Sequence, residues 1–279
     1  MKELIFDEIK NNKREFNFDE AFKNCFIDIT KRVDKPPIAM GIGHDFSGNL
    51  NPTFTYGESS VIIAPKKSKK TFFKTALAAC YIGGQSSNYF PNIVSTRNKD
   101  LYVLDFDTEQ GSYYAPFASK RVIKMVGANY DNYLPFTIKK LSKSNRLKFV
   151  DQIIEKYKGK IGMIFIDGVK DFITDPNSQT ESDNVIEYME KWTETGLHLC
   201  TVLHKTYDKD KAFGSIGTKV QDKVETSIFL ESTRGKDEDD LNQPIKVFQR
   251  DARGSAFRSF YFDLDLTTLI PKECEEKEW

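Results

Sequence analysis

Residues 57–76 read Gly-Glu-Ser-Ser-Val-Ile-Ile-Ala-Pro-Lys-Lys-Ser-Lys-Lys-Thr-Phe-Phe-Lys-Thr-Ala, and the fold turns on how this run is interpreted. Ser59 to Ile63 is a short apolar stretch suited to a buried strand. Thr71 to Ile82 is rich in helix formers, among them Ala76, Leu77, Ala78 and Ala79. Between them, Ala64 to Thr71 follows the frame G-x-x-x-x-G-K-[ST] of a phosphate-binding loop, with Ala64 and Lys69 in the two glycine places. Strand, loop, helix is the order such a turn needs, because backbone N–H groups then wrap an anion that also meets the positive end of the helix dipole. In this frame the backbone from Ala64 through Pro65, Lys66, Lys67, Ser68 and Lys69 holds phosphates. Lys70 neutralises them, Thr71 offers a hydroxyl to magnesium, and Phe72 closes the nucleotide-contacting stretch. The plain alternative is a solvated turn carrying Lys66, Lys67, Lys69 and Lys70, since a lysine at 69 lacks the conformational freedom of glycine.

The chain has 279 residues, 39% of them hydrophobic, enough for one large α/β domain with a real core. Its formal net charge is zero, so binding to a polyanion needs a local basic surface or an assembled ring. Cys25, Cys80, Cys200 and Cys274 are scattered with no CxxC pair, which argues against zinc and disulfides and for a reducing cytoplasm. No apolar run reaches membrane-spanning length and no signal peptide is visible, so no membrane partner is expected.

Further anchors lie downstream. Ile161 to Asp167 is an apolar strand ending in an acid, with Gly168 after it. In sheets of this kind such an aspartate lies beside the phosphate loop and orders a magnesium shell, so Thr71 and Asp167 are the expected metal ligands. The segment Asn145 to Lys158 before it has apolar residues at helical spacing. Leu101 to Gln110 is a second strand running into acids, and a carboxylate there can polarise a water. Glu109 is the best candidate, with Asp105 and Asp107 as alternatives and Asp105 open to a structural role. Leu197 to Leu203 reads as a strand tipped by His204, a position from which a side chain can sense a γ-phosphate. Lys205 to Lys223 reads as the loop that follows, with five lysines against three aspartates. Val224–Glu231, Ile245–Arg250 and Arg258–Leu264 read as antiparallel strands, with residues 232–243 as a charged turn. Arg250, Arg253 and Arg258 gather near one turn, and Arg250 or Arg253 could reach a neighbouring subunit's phosphate.

Taken in order, these blocks resemble the RecA-like ATPases over about residues 38–265, in the branch of RepA-type plasmid helicases and DnaB-type replicative helicases. The likeness is nearest to the small ATPases of Bacteroides-type mobile elements and phages. Their loop often reads G-K-A-K-S-[RK]-K-T, which Ala64-Pro-Lys-Lys-Ser-Lys-Lys-Thr71 follows with a basic residue in place of the second glycine. Asp107-Thr-Glu-Gln110 with Lys120-Arg121, Ile166-Asp-Gly168 with Asp171 and Asp175-Pro-Asn177, and Leu203-His204 with Gly214-Ser-Ile-Gly217 are similar to further blocks of that group. Gln249-Arg250 and Arg253-Gly254 look like its strand-end arginines.

The resemblance implies a three-layer RecA-like P-loop fold, with a mostly parallel sheet extended by antiparallel C-terminal strands. It implies ATP and Mg2+ as ligands, Glu109 as the water-activating group, and a homo-oligomeric, hexameric ring that acts on single- or double-stranded DNA as a helicase or mobilisation motor. The competing expectation is a slow nucleotide-dependent switch that binds protein partners. The expected organisation is a helical arm and lead-in over residues 1–37, helical from Asp19 to Val33. The ATPase domain follows over 38–270, and a loose acidic tail over 271–279.

Overall fold

The computed structural model describes residues 16–32, 34–35, 37–66, 68–97, 100–206, 212, 214–232 and 243–276. The chain divides into two units after Lys35. In the first, helix α1 (Phe18–Cys25) is capped by the Asn17 side chain, which accepts from the Glu20 N–H at 3.2 Å. Its phenyl rings at 18, 22 and 26 follow one face, with centroids 6.0 and 5.7 Å apart. The helix ends well before the expected Val33; Phe26 already has an extended backbone.

The second unit is built on a nine-stranded sheet in the order β12-β11-β10-β9-β3-β8-β7-β5-β6. Six strands are parallel: β3 (Ser59–Ala64), β5 (Tyr102–Asp107), β6 (Tyr133–Thr137), β7 (Ile161–Asp167), β8 (His198–His204) and β9 (Thr226–Ser232). Antiparallel strands β10 (Ile245–Ala252), β11 (Phe260–Leu264) and β12 (Pro271–Cys274) continue it beyond β9. A three-stranded sheet of β1 (Ile38–His44), β2 (Leu50–Thr55) and β4 (Ile93–Ser95) lies apart.

Strand periodicity sorts the core into two clusters, one on each face of the sheet. Ile62, Val103, Met163, Phe165 and Val202 belong to the cluster holding helices α2 (Lys70–Ile82) and α3 (Ala115–Val126) and the three-stranded sheet. Their neighbours Val61, Leu104, Ile164, Ile166 and Leu203 belong to the cluster holding α4 (Lys143–Lys156), α5 (Gln179–Thr193) and α6 (Gly214–Lys223). The fold is therefore mixed α/β, with helices on both faces of a mostly parallel sheet, as expected. Parallel strands need such crossovers, and the sequence supplies apolar runs without alternation because both faces are covered.

Two expectations fail. The stretch expected to be a loop from Lys205 to Lys223 contains α6, because Ile216 and Val220, four residues apart, insert into the second cluster. The tail expected to be loose begins with β12, whose Pro271–Cys274 pairs with β11. The charged turn at 233–242 and residues 207–211 lie outside the described residues.

His198 ties three elements at the start of β8. One ring nitrogen meets the Thr55 carbonyl at 2.7 Å and the other meets Ser60 Oγ at 2.9 Å. Complete burial pushes its pKa down to about 4, so the folded protein holds it neutral. A histidine depressed in the fold stabilises above its unfolded value and loses that contribution as pH falls through the folded one. The unfolding free energy is expected to drop between about pH 6.5 and pH 4, by an amount on the order of 3 kcal/mol from this residue. Denaturant titrations of wild type and His198→Phe across that range isolate the effect. An equal slope in both would remove His198 as its source.

Candidate active site

The loop after β3 is built from its own backbone. Ala64 is the last strand residue; its backbone is not left-handed and its carbonyl accepts from the Lys205 N–H at 2.9 Å, so a Cβ at this glycine place meets no conformational penalty. Lys69 is different. It adopts φ 60°, ψ 24°, the left-handed region that explains why the frame prefers glycine there. Such a conformation costs an L-residue about 1–2 kcal/mol. The Lys69 ammonium offsets part of it by donating to the Gln243 carbonyl at 3.0 Å, a contact that glycine lacks. The carbonyl of Pro65 accepts from both Ser68 Oγ at 2.6 Å and Lys70 Nζ at 2.7 Å, so the lysine folds back over the loop. Lys67 lies outside the described residues.

Helix α2 starts at Lys70 and places Thr71 against the tip of β7. Thr71 Oγ1 donates to Asp167 Oδ2 at 2.9 Å. Burial pushes the Lys70 ammonium down and the Asp167 carboxyl up, and each is opposed by opposite charge nearby, Glu109 and Asp167 for the lysine and Lys74 for the aspartate. Lys70 and Asp167, drawn from segments almost a hundred residues apart, thus share one site.

Beneath them lies a group that the sequence reading passed over. Lys74, one turn along α2 and 1% exposed, bonds Asp105 Oδ1 at 2.6 Å and lies 3.8 Å from Asp167 Oδ2. Tyr133 donates to the other Asp105 oxygen at 2.7 Å. Asp105 is therefore structural, one of the two roles open to it. Asp107, the register partner of Asp167, caps the turn by accepting from the Glu109 and Gln110 N–H groups at 2.9 and 2.7 Å. Its buried Oδ2 has no partner.

Glu109 projects into the same cavity as Lys70. Its Oε1 meets His204 Nε2 at 3.2 Å and Lys170 Nζ at 3.4 Å. The His204 hydrogen bond first, then the Lys170 charge, hold its carboxyl down at about 2 against the effect of burial. The turn that carries Lys170 depends on Gly168 at φ 99°, where a Cβ would sit 2.4 Å from Thr108 Oγ1. Thr108 in turn donates toward Asp171 at 2.8 Å.

The cavity measures about 560 Å³ and runs from Ser68–Phe72 past Glu109 and His204 to an aromatic wall. Tyr113, Tyr114 and Phe117 form that wall, all more than half exposed. Arg121 stacks over the Phe72 ring at 3.9 Å and donates to the Leu269 carbonyl at 3.0 Å; burial lowers its pKa to about 10. One end of the cavity is cationic and hydroxylic, the other flat and aromatic.

The arginines are elsewhere. Arg253 pairs with Glu58 at 3.3 Å and donates to the Lys223 carbonyl. Glu58 precedes β3 whereas the loop follows it, so six strand residues, about 20 Å, separate Arg253 from the phosphate loop of its own chain. Arg250 lies over Phe229, its guanidinium 5.6 Å from the ring centre. Neither arginine joins the cavity.

Among the described residues no cluster of three or more His, Cys, Asp or Glu side chains could cage a metal. Magnesium needs no such cage, since one or two carboxylates and substrate oxygens suffice. The oxygen donors of Thr71 and Asp167 suit that ion. No protein-family model matches this chain, and no curated protein matches it.

Proposed function

We propose that this protein is a Mg2+-dependent nucleoside-triphosphatase of RecA-like type, with ATP as its substrate. One observation carries the reading: Lys70, Thr71 and Glu109 line a single cavity where the loop after β3 becomes α2, and buried Asp167 accepts the Thr71 hydroxyl beneath it. The interior position of β3 among parallel strands and the antiparallel extension through β12 support the RecA-like assignment. The triphosphate lies along the loop, with Lys70 offsetting its charge and the helix N-terminus facing it. Its planar base stacks at the wall of Tyr113, Tyr114 and Phe117, where aromatic faces bind bases by stacking. Thr71 and Asp167 would hold magnesium, which would supply neutralisation of the triphosphate's charge. Glu109 orients the attacking water and accepts its proton, and His204 contacts the γ-phosphate end.

The wider role we assign is a ring-forming, homo-oligomeric DNA motor, hexameric by the resemblance. Arg253, held about 20 Å from its own loop, does not serve its own site, so the catalytic role that the resemblance gives it would be played at another copy's site. The competing reading, a slow switch for protein partners, is favoured by the capture of Glu109 by His204 and Lys170. Phosphate release measured with and without single-stranded DNA separates them. Stimulation supports the motor, and nucleotide binding without stimulation supports the switch. For the chemistry itself, Glu109→Gln should bind ATP with unchanged affinity by isothermal titration while turnover falls at least about 100-fold. Turnover within a factor of two of wild type would remove Glu109 from the reaction.

A further inference from the structure

A second cavity, of about 650 Å³, opens on the other side of His204. Four lysines line it from four separate segments: Lys66 in the phosphate loop, Lys143 at the start of α4, Lys170 in the turn after β7 and Lys205 after β8. Asp171 is the sole acid among the described lining residues, and its carboxylate already accepts from Thr108 at 2.8 Å. Lys205 pairs with Glu231 at 3.3 Å. A concave surface with this excess of cations focuses a positive potential in a chain whose formal charge is zero.

Two residues belong to both cavities' chemistry. Lys170 lines the second cavity while its ammonium holds Glu109 at 3.4 Å. His204 lines both cavities; its Nε2 is engaged by Glu109, and its buried Nδ1 has no partner. With one oxygen held by both Lys170 and His204, Glu109 in this arrangement is not turned toward a water, and releasing the lysine frees that oxygen.

We infer that the lysine-lined cavity binds the phosphodiester backbone of a nucleic-acid strand, and that its occupancy draws Lys170 away from Glu109 and so frees the carboxylate for catalysis. Four lysines spread around a volume of this size match several linked phosphates better than one. The coupling half of the inference rests on the hydrolysis reading above; the anion site does not.

The test has two arms. In the first, binding of a fluorescein-labelled single-stranded oligonucleotide is followed by anisotropy across a salt series without nucleotide. Lys143→Glu, at a helix N-terminus where an acid is favourable, keeps the fold. It should weaken binding about tenfold and lower the salt slope by about one. Unchanged affinity and slope would overturn the site. So would displacement of the strand by inorganic phosphate at equal phosphate concentration, which would mark a site for single phosphates. In the second arm, phosphate release is measured with and without the oligonucleotide. Lys143→Glu should keep the unstimulated rate and lose the stimulation. Lys170→Gln should raise the unstimulated rate several-fold and no longer respond. A Lys170→Gln rate at or below wild type overturns the coupling. Absence of any turnover in wild type, with the lysine dependence of binding intact, overturns the hydrolysis reading and the coupling but leaves the anion site standing.

Discussion

Lys70→Ala is expected to lose nearly all nucleotide hydrolysis, a fall of roughly 10³-fold or more, with the fold retained. Positioning and electrostatic stabilisation dominate phosphoryl transfer, and among the described residues no other ammonium bonds the Pro65 carbonyl inside the loop. The fold survives because the lysine's hydrogen-bond partner is doubly served: Pro65 O keeps the Ser68 hydroxyl at 2.6 Å when Lys70 is gone. The side chain is buried yet held with a depressed pKa, so its removal also relieves a desolvated charge. Lys70→Arg should fail to rescue. A planar fork cannot take the place of a compact ammonium curled against a single carbonyl. Phosphate release, with circular dichroism to confirm the fold, makes the comparison. Wild-type turnover in the alanine variant would remove this loop from the chemistry and with it the whole functional reading.

The strand, loop and helix around residues 59–82 were legible because each signal is local: an apolar run, a phosphate-loop frame and a block of helix formers. The tips of β5, β7 and β8 were legible for the same reason, as apolar runs ending in Asp107, Asp167 and His204. What escaped needed distant partners. A lysine between Phe73 and Thr75 looks like a surface residue until the fold brings Asp105 and Asp167 beneath it. The hold of Lys170 on Glu109 likewise depends on a turn set by Gly168 that no spacing rule displays. Helix α5 did carry a local signal: Ser178 accepts from the Glu181 N–H at 3.2 Å, in a Ser-x-x-Glu pattern that marks a helix start. The three-stranded sheet had none, since β1 contains two glycines and β2 a proline, residues that argue against strands. Lys69 shows the opposite case. Its departure from glycine looked damaging, whereas a contact to Gln243, far along the chain, supports the left-handed backbone.

Lys74→Met is expected to destabilise the protein by about 3–5 kcal/mol, the usual consequence of leaving buried charge without its partner. Burial alone would drive this ammonium toward neutrality, but Asp105, Asp167 and Asp107 outweigh it and raise its pKa. The raised pKa means its stabilisation is complete at neutral pH and is lost only in strong alkali. Removing it strands Asp105 and Asp167, 4% and 3% exposed, without the cation that pairs with both. The Asp167 carboxyl, already pushed up by burial and held back by Lys74, then climbs further, so the variant takes up a proton on folding and its deficit should shrink as pH falls from 7 toward 4. The double variant Lys74→Met/Asp105→Asn removes one stranded charge and keeps an acceptor for the Tyr133 hydroxyl. It should be more stable than the sum of the single effects by about 1–3 kcal/mol. Urea unfolding at pH 7 and pH 5 measures both quantities. A Lys74→Met midpoint matching wild type at pH 7 would mean that the acids at the foot of the site ionise without this lysine, and that Asp167 reaches Thr71 unaided. A deficit that closes in acid identifies Lys74 as the residue that keeps Asp167 charged and aimed at the loop, which makes the interior of α2 part of the site.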